Sequence, residues 1–560
     1  MKKSPKKFEI HTPTKIDRRS FLTRSGTAGL GISGLAATLA NMKLVSEATA
    51  SSSGMDMSKY KALICFFLGG GCDMNNGLIP IGNHPQRASY DNDRGFAAIP
   101  EADISTAGTE LNVTDVNGTA PPGGGNVYGL HPELQNLASR FNSGQAAFIA
   151  NCGTLAVPLA EGISLEDYQA AIKPIQLFSH SDQVNEWFSS IPQNPFISGW
   201  AGRIAQLFQT APYANAPASI NEHSLSSMLM TAAGSTDLLV APGGAIPQYA
   251  VNRTGAINFA GYGSDYANAL SGGQYDTGAT GDRFRAFEGT VNYTHDHILE
   301  QGFNGIVKSA RENEATIGAA TGVADAITTP SANYDPQDRQ LDDIFLTVYN
   351  TRTSSNVTDT TGLPNDMEEL LMICKLIAGR ECLGNTHQVF FFNLGGFDNH
   401  ANLLAAQAPL LEQVDMMIEA FIQCMDAIDA AQANFDKNMA TLFEASDFNR
   451  TWTPNTSGTD HAWGTHTFCV GGAVEDAIGA GTPKKIHGRF PVLEVDGPND
   501  VPGNNNRGRW IPQISTDQYY ARLASWFGVA SADMETIFPN LANGFTDPLT
   551  HPDLNFLPLS

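Results

Sequence analysis

The stretch from His387 to Gly472 constrains this chain most. It reads HQVFFFNLGGFDNHANLL, then a long amphipathic segment, then TLFEASDFNRTWTPNTSGTDHAWGTHTFCVGG. Two apolar runs, Gln388–Leu394 and Met439–Ala445, each stop at acidic and imidazole side chains: Asp398 and His400 after the first, Asp447 and then Asp460, His461 and His466 after the second. Runs this short, rich in Phe and β-branched residues, read as buried strands of a parallel sheet. Pro409–Met425 carries apolar residues at helical spacing between them, and Asp366–Ala378 is an amphipathic helix before them. Helix, strand, helix, strand predicts an α/β fold with a mostly parallel central sheet flanked by helices. In such sheets ligands bind beyond the carboxyl ends of the strands, so carboxylates and imidazoles delivered there are raw material for a metal site.

Upstream, Lys61–Leu68 (KALICFFL) reads as a first buried strand ending in Gly69-Gly70-Gly71-Cys72-Asp73. The glycines permit a tight turn and close backbone approach, and Asp73 falls at the same sheet edge. Taken alone, Asp73 is equally a turn former. Ala146–Ala150 is a further short strand. Ser179-His180-Ser181-Asp182 is a polar cluster opening a helix over Gln183–Ser189, either as a cap or as the seat of a nucleophilic hydroxyl. Ile197–Leu207 and Thr516–Phe527 read as helices, Leu238–Ala241 and His466–Gly471 as short strands. Residues 101–129 read as a surface insertion. Residues 212–360 read as a helical insertion or cap, with a Gly-rich loop at Gly255–Gly281 and helices over Asp282–Thr321 and Asp335–Tyr349. No internal repeat or heptad pattern is present.

Asp398 and His400, two apart at a strand end, can point the same way toward one ion; an Asp–His hydrogen bond in a loop explains the pair equally. Asp73, Asp398, His400, Asp447 and His461 together form a stronger set, because several strand ends converge on one edge. Mixed carboxylate and imidazole donors suit a divalent metal (Zn, Mn, Fe, Mg or Ca).

Residues 1–50 read as an address label outside the fold, and residues 51–560 as one large domain. A basic leader precedes Asp17-Arg18-Arg19-Ser20-Phe21-Leu22, a Gly/Ala-rich run and Ala48-Thr49-Ala50. The pattern resembles a bacterial twin-arginine signal cleaved near Ala50, which implies the twin-arginine translocase as a partner and a periplasmic or extracellular destination. The first 50 residues hold nine Lys/Arg and three Asp/Glu; with a net charge of −24 for the whole chain, the rest carries about −30. That acidity argues against nucleic acid or an anionic membrane face as partner. No later segment has the 18 consecutive apolar residues of a membrane span. Seven cysteines in apolar runs, without metal-ligand spacing, read as buried free thiols.

The leader motif DRRSFL and, in order from about residue 60 to 541, GGGCDMNN, HPEL, SHSDQ, GW-GR, LGGFDNHA, SDFNRT, GTDHAWG and QYYARLASWFG…IFPNL resemble the exported domain-of-unknown-function 1501 family. That family is in turn similar in pattern to the alkaline phosphatase/sulfatase superfamily. The resemblance implies an alkaline phosphatase-like fold and hydrolysis of phosphate or sulfate esters, including glycan esters. It implies Asp73 as a first-strand ligand, Asp398 and His400 on a second ion, Asp447 at the next strand end, His461 as the late ligand, and Ser179 or Ser181, around His180, at the nucleophile's helix N-terminus. Two departures stand out. Phe448 follows Asp447 where phosphatases carry a histidine ligand, and the Asp398-to-His400 spacing is two rather than four. The alternative expectation is a non-catalytic exported protein whose polar edge binds a partner, a glycan or a structural ion.

Overall fold

Strand β1 (Lys61–Leu68) lies at the middle of the molecule, paired in parallel on both sides. A strand flanked on both edges and covered on both faces has no polar side to present, which is why KALICFFL is apolar throughout rather than alternating. The computed structural model describes residues 59–559 except 196–197, 211–212, 214–226, 245, 254, 256–278, 292, 294–299, 301–303, 305–315, 330–331, 475–483 and 504–506. The twin-arginine pattern and most of the Gly255–Gly281 loop lie outside the described residues. Met55–Ser560 clusters as one compact unit.

The other strands of the large sheet are β2 (Ala146–Gly153), β3 (Leu229–Thr231), β4 (Tyr249–Ala250), β5 (His387–Leu394), β6 (Ala440–Ser446), β7 (Thr465–Val470), β8 (His487–Gly488) and β9 (Ile514–Ser515). Their order is β8-β2-β7-β6-β1-β5-β3-β4, with β9 also beside β2. All pairings are parallel except those of β7, which runs against both β2 and β6. Even-numbered residues of β1 (Ala62, Ile64, Phe66) face a core shared with helices α1 (Gln135–Ser143), α4 (Gln340–Thr353), α5 (Asn365–Ala378) and α6 (Leu403–Ala431). Odd-numbered residues (Leu63, Cys65, Phe67) face α2 (His180–Ser189), α3 (Trp200–Phe208) and α7 (Thr516–Phe527). The fold is thus the expected three-layer arrangement around a mostly parallel sheet.

Several local expectations differ. Leu238–Ala241 is not a strand; Asp237–Leu239 is a single 3-10 turn in which the Leu238 N–H donates to the Thr236 hydroxyl. An apolar run of four carries too little periodicity to separate the two. Residues 101–129 are not a bare surface loop: Glu101–Ala107 is helical, and Glu110–Leu111 and Tyr128–Leu130 form a small antiparallel sheet with Leu78–Pro80. Within 212–360, β3 and β4 extend the main sheet rather than capping it. Cys65, Cys72, Cys152, Cys374, Cys424 and Cys469 are buried free thiols, and Cys382 is half-buried.

The reversed strand β7 has a functional consequence. Because it starts at the edge where β6 ends, the 447–464 connection never leaves the carboxyl edge. That connection carries Asp460 and His461 back over the ends of β1 and β5.

Candidate metal centre

The turn after β1 makes the site compact. Gly70, at φ +112°, lies so close to the loop after β5 that a Cβ would sit 2.5 Å from the Asp398 nitrogen. Its N–H donates to Asp447 Oδ1 at 2.9 Å. Gly71, at φ +77°, leaves room for the Phe448 ring, which a Cβ would meet at 2.5 Å. Only glycine satisfies both the backbone angle and the contact. Asn449 and Ser446 complete the knot: Ser446 Oγ donates to the Leu68 carbonyl and accepts from Cys72 N–H, while Asn449 Oδ1 accepts from Met74 N–H.

On this frame three imidazoles and one carboxylate converge. His180 Nε2 lies 3.1 Å from His461 Nε2, and His400 Nε2 lies 3.0 Å from the same atom. Asp398 Oδ1 is 3.5 Å from His180 Nε2, 3.0 Å from His400 Nε2 and 3.4 Å from His461 Nε2. Donor atoms of His180, Asp398 and His461 lie mutually within 4.8 Å, a spacing able to hold one metal ion.

Each ring is fixed through its other nitrogen. His180 Nδ1 is 2.7 Å from Asp447 Oδ2, His461 Nδ1 is 2.8 Å from the Phe178 carbonyl, and His400 Nδ1 is 3.2 Å from Asp460 Oδ1. All three partners are acceptors, so each Nδ1 carries a proton, and in the neutral ring each Nε2 presents a lone pair. Phe178 holds φ +75°, a strained angle for a phenylalanine, and its carbonyl is the one that orients His461. Phe448 packs against the rings of both His180 and His461, with centroids at 4.8 and 4.7 Å.

Arginines surround the carboxylates. Arg450, fully buried, donates from Nη1 to Asp398 Oδ1 at 2.8 Å and binds the Thr459 carbonyl. Burial pushes the Asp398 carboxyl up, but the Arg450 hydrogen bond and charge, with the nearby imidazoles, outweigh it and hold the group below its ordinary range. Arg507 Nη1 is 2.7 Å from Asp460 Oδ2. Arg509 lies over the Phe178 ring at 4.1 Å and donates to the His461 carbonyl. The Asp447 hydrogen bond raises the His180 pKa, while burial lowers that of His461.

The sequence-derived candidates therefore separate. Asp398, His400 and His461 come together. His180, read as part of a nucleophile cluster, joins them, its Nε2 3.1 Å from that of His461. Asp447 stands behind His180 as its hydrogen-bond partner. Asp73 lies apart, in a buried ion pair with Arg94. Ser179 is the N-cap of α2 by backbone position, but its hydroxyl donates to Asp182 at 2.6 Å. Ser181 is exposed, and its nearest polar neighbours are Ser179 and Asp182. The roles of Arg450, Arg507 and the Phe178 carbonyl were not legible. Arg450 sits inside the SDFNRT motif, but nothing in the sequence marks Arg507 or a backbone carbonyl.

Residues 349–489 match the family model described as "Protein of unknown function (DUF1501)". The matched segment contains Asp398, His400, Asp447, Arg450 and His461. His180 and Asp73 lie before it. No curated protein and no solved structure matches the chain.

Proposed function

We propose that this chain, whose residues 349–489 carry the DUF1501 pattern, is an exported hydrolase of phosphate or sulfate esters working with one divalent metal ion. The observation that supports this most is the committed Nδ1 of all three imidazoles. Nε2 atoms of neutral imidazoles 3.0–3.1 Å apart repel unless a metal ion or a shared proton lies between them, and the Asp398 carboxylate beside them favours a cation there. The donor set fits Zn, Mn or Fe better than the oxygen-only shells of Ca or Mg.

Asp398, His180 and His461 would hold the ion, with His400 beside them. Such an ion polarises a bound ester oxygen and acidifies a water at neutral pH. The rest falls to the chain. Arg450 keeps Asp398 ionised, Asp447 and the Phe178 carbonyl hold two rings in the ligating tautomer, and Arg507 offers a cation at the open side. Neither Ser179 nor Ser181 hydrogen-bonds an imidazole, so the reading favours water over a serine as nucleophile. Asp73, held by Arg94, and Phe448 favour one ion over two.

A second reading, a structural ion without turnover, is favoured by the number of protein donors: four would close a tetrahedral shell. Metal analysis of the purified chain with a panel of aryl phosphate and sulfate esters separates the two. Metal with turnover supports the hydrolase, metal without turnover supports the structural site, and neither sinks both.

Export rests on the pattern at Arg18 and Arg19. Among the described residues no helix is long and apolar enough to cross a membrane. Replacing both arginines by lysine should leave precursor in the cytoplasm; normal export of that variant refutes the assignment.

A further inference from the structure

The three imidazoles are not held alike. Behind His180 stands Asp447, 5% exposed and pinned by the Gly70 N–H. Behind His461 stands a backbone carbonyl. Behind His400 stands Asp460, 30% exposed, whose other oxygen is bound by Arg507, itself 39% exposed. The His400 side chain is 46% exposed, the most open of the three, and its Nδ1 contact of 3.2 Å is the longest. His400 Nε2 lies 3.0 Å from both Asp398 Oδ1 and His461 Nε2, within reach of the same ion.

We propose that His400 is an exchangeable ligand, positioned by the Asp460–Arg507 arm, and that an oxyanion takes its place at the ion while engaging Arg507. The inference rests on the metal-centre reading above and deepens it: His180, Asp398 and His461 keep the ion, and the departure of His400 opens the position that a closed structural site would lack. Arg507 suits the incoming group because a guanidinium pairs with phosphate or sulfate oxygens as it now pairs with Asp460. The arm is exposed enough to move, whereas Asp447 and the Phe178 carbonyl are built into the frame.

The test uses the full chain loaded with Co(II), whose visible absorption reports ligand number, titrated with inorganic phosphate. His400→Ala should retain cobalt with its affinity lowered about tenfold or less, while His461→Ala loses on the order of a hundredfold or more. Phosphate should alter the wild-type cobalt spectrum and bind more tightly to His400→Ala, which has no imidazole to displace. Arg507→Gln should weaken phosphate binding, and Arg507→Lys should restore part of it. Equal cobalt loss in His400→Ala and His461→Ala overturns the exchange while leaving the metal centre standing; so does phosphate binding that weakens in His400→Ala. A wild-type chain that takes up no cobalt overturns both.

Discussion

Two Asp–Arg pairs sit beyond adjacent strand ends of the same sheet, and they differ in almost everything else. Asp73, after β1, pairs with Arg94, and both side chains are fully buried. Arg94 also donates to the carbonyls of Thr451 and Trp452 and lies over the Trp452 ring. Asp398, after β5, pairs with an equally buried Arg450, but its own carboxyl is 46% exposed and three imidazoles face it. The first pair closes a gap between loops; the second leaves a carboxylate half-exposed among the imidazoles. A carboxylate at the carboxyl edge is thus only half of a site. The other half is a set of imidazole nitrogens gathered within 3.5 Å of its oxygen.

The largest effect should come from breaking the closed pair. Arg94→Met strands a buried carboxylate and should cost about 3–5 kcal/mol by urea unfolding, while bound metal per folded chain is unchanged. Replacing both, Asp73→Leu with Arg94→Met, should recover much of that loss. A fall in metal content without a fall in stability would place Asp73 at the ion and erase the distinction between the pairs.

Next comes the support of the open pair. In Asp447→Asn the side-chain oxygen can keep the Gly70 N–H, which turns the amide NH2 toward His180 Nδ1 and moves the ring proton to Nε2. Metal affinity should drop about 10–100-fold with stability nearly unchanged, a split that isothermal titration beside thermal melts can read.

A third carboxylate sharpens the contrast from the other side. Glu444, in β6, is fully buried, and among the described residues no salt bridge reaches it. Burial pushes its carboxyl up to about 8. Its ordinary value is about 4.3, so the folded state keeps its proton longer than the unfolded chain. The resulting stability is fully present below about pH 4.3 and is lost as pH rises through about 8. Glu444→Gln removes that loss: its melting temperature relative to wild type should climb between pH 5 and pH 9. A difference independent of pH contradicts the assignment.

The smallest effect is expected at the α2 N-terminus. Ser179→Ala should change ester turnover by less than about threefold, since its hydroxyl is spent on Asp182. A loss of several orders of magnitude with metal retained would restore a serine nucleophile.

Much of the frame was legible in the sequence because burial on both faces writes itself as unbroken apolar runs. Lys61–Leu68, Asp366–Ala378 and Thr516–Phe527 fall within a residue of their observed elements. The convergence of Asp398, His400 and His461 could be anticipated because each follows a strand or enters one at the same edge. The direction of β7 could not, since His466–Gly471 reads the same in either orientation. Nor could the sequence separate Asp73 from Asp398. Both follow a Gly-rich turn, and only the three-dimensional placement of Arg94, Trp452 and the imidazoles tells a sealed charge from an offered one. The place of His180 was hidden for a related reason: two flanking serines suggested a nucleophile cluster, while its partners, Asp447 and His461, are 267 and 281 residues away.

The most direct test of the central claim is the metal content of the purified full chain, wild type beside Asp398→Ala, His461→Ala and Asp73→Asn, with X-ray absorption at the edge of whatever ion is found. The account predicts about one ion per chain with imidazole scattering around it, lost in the first two variants and kept in Asp73→Asn. A metal-free wild type, or an ion that survives loss of both Asp398 and His461, contradicts it.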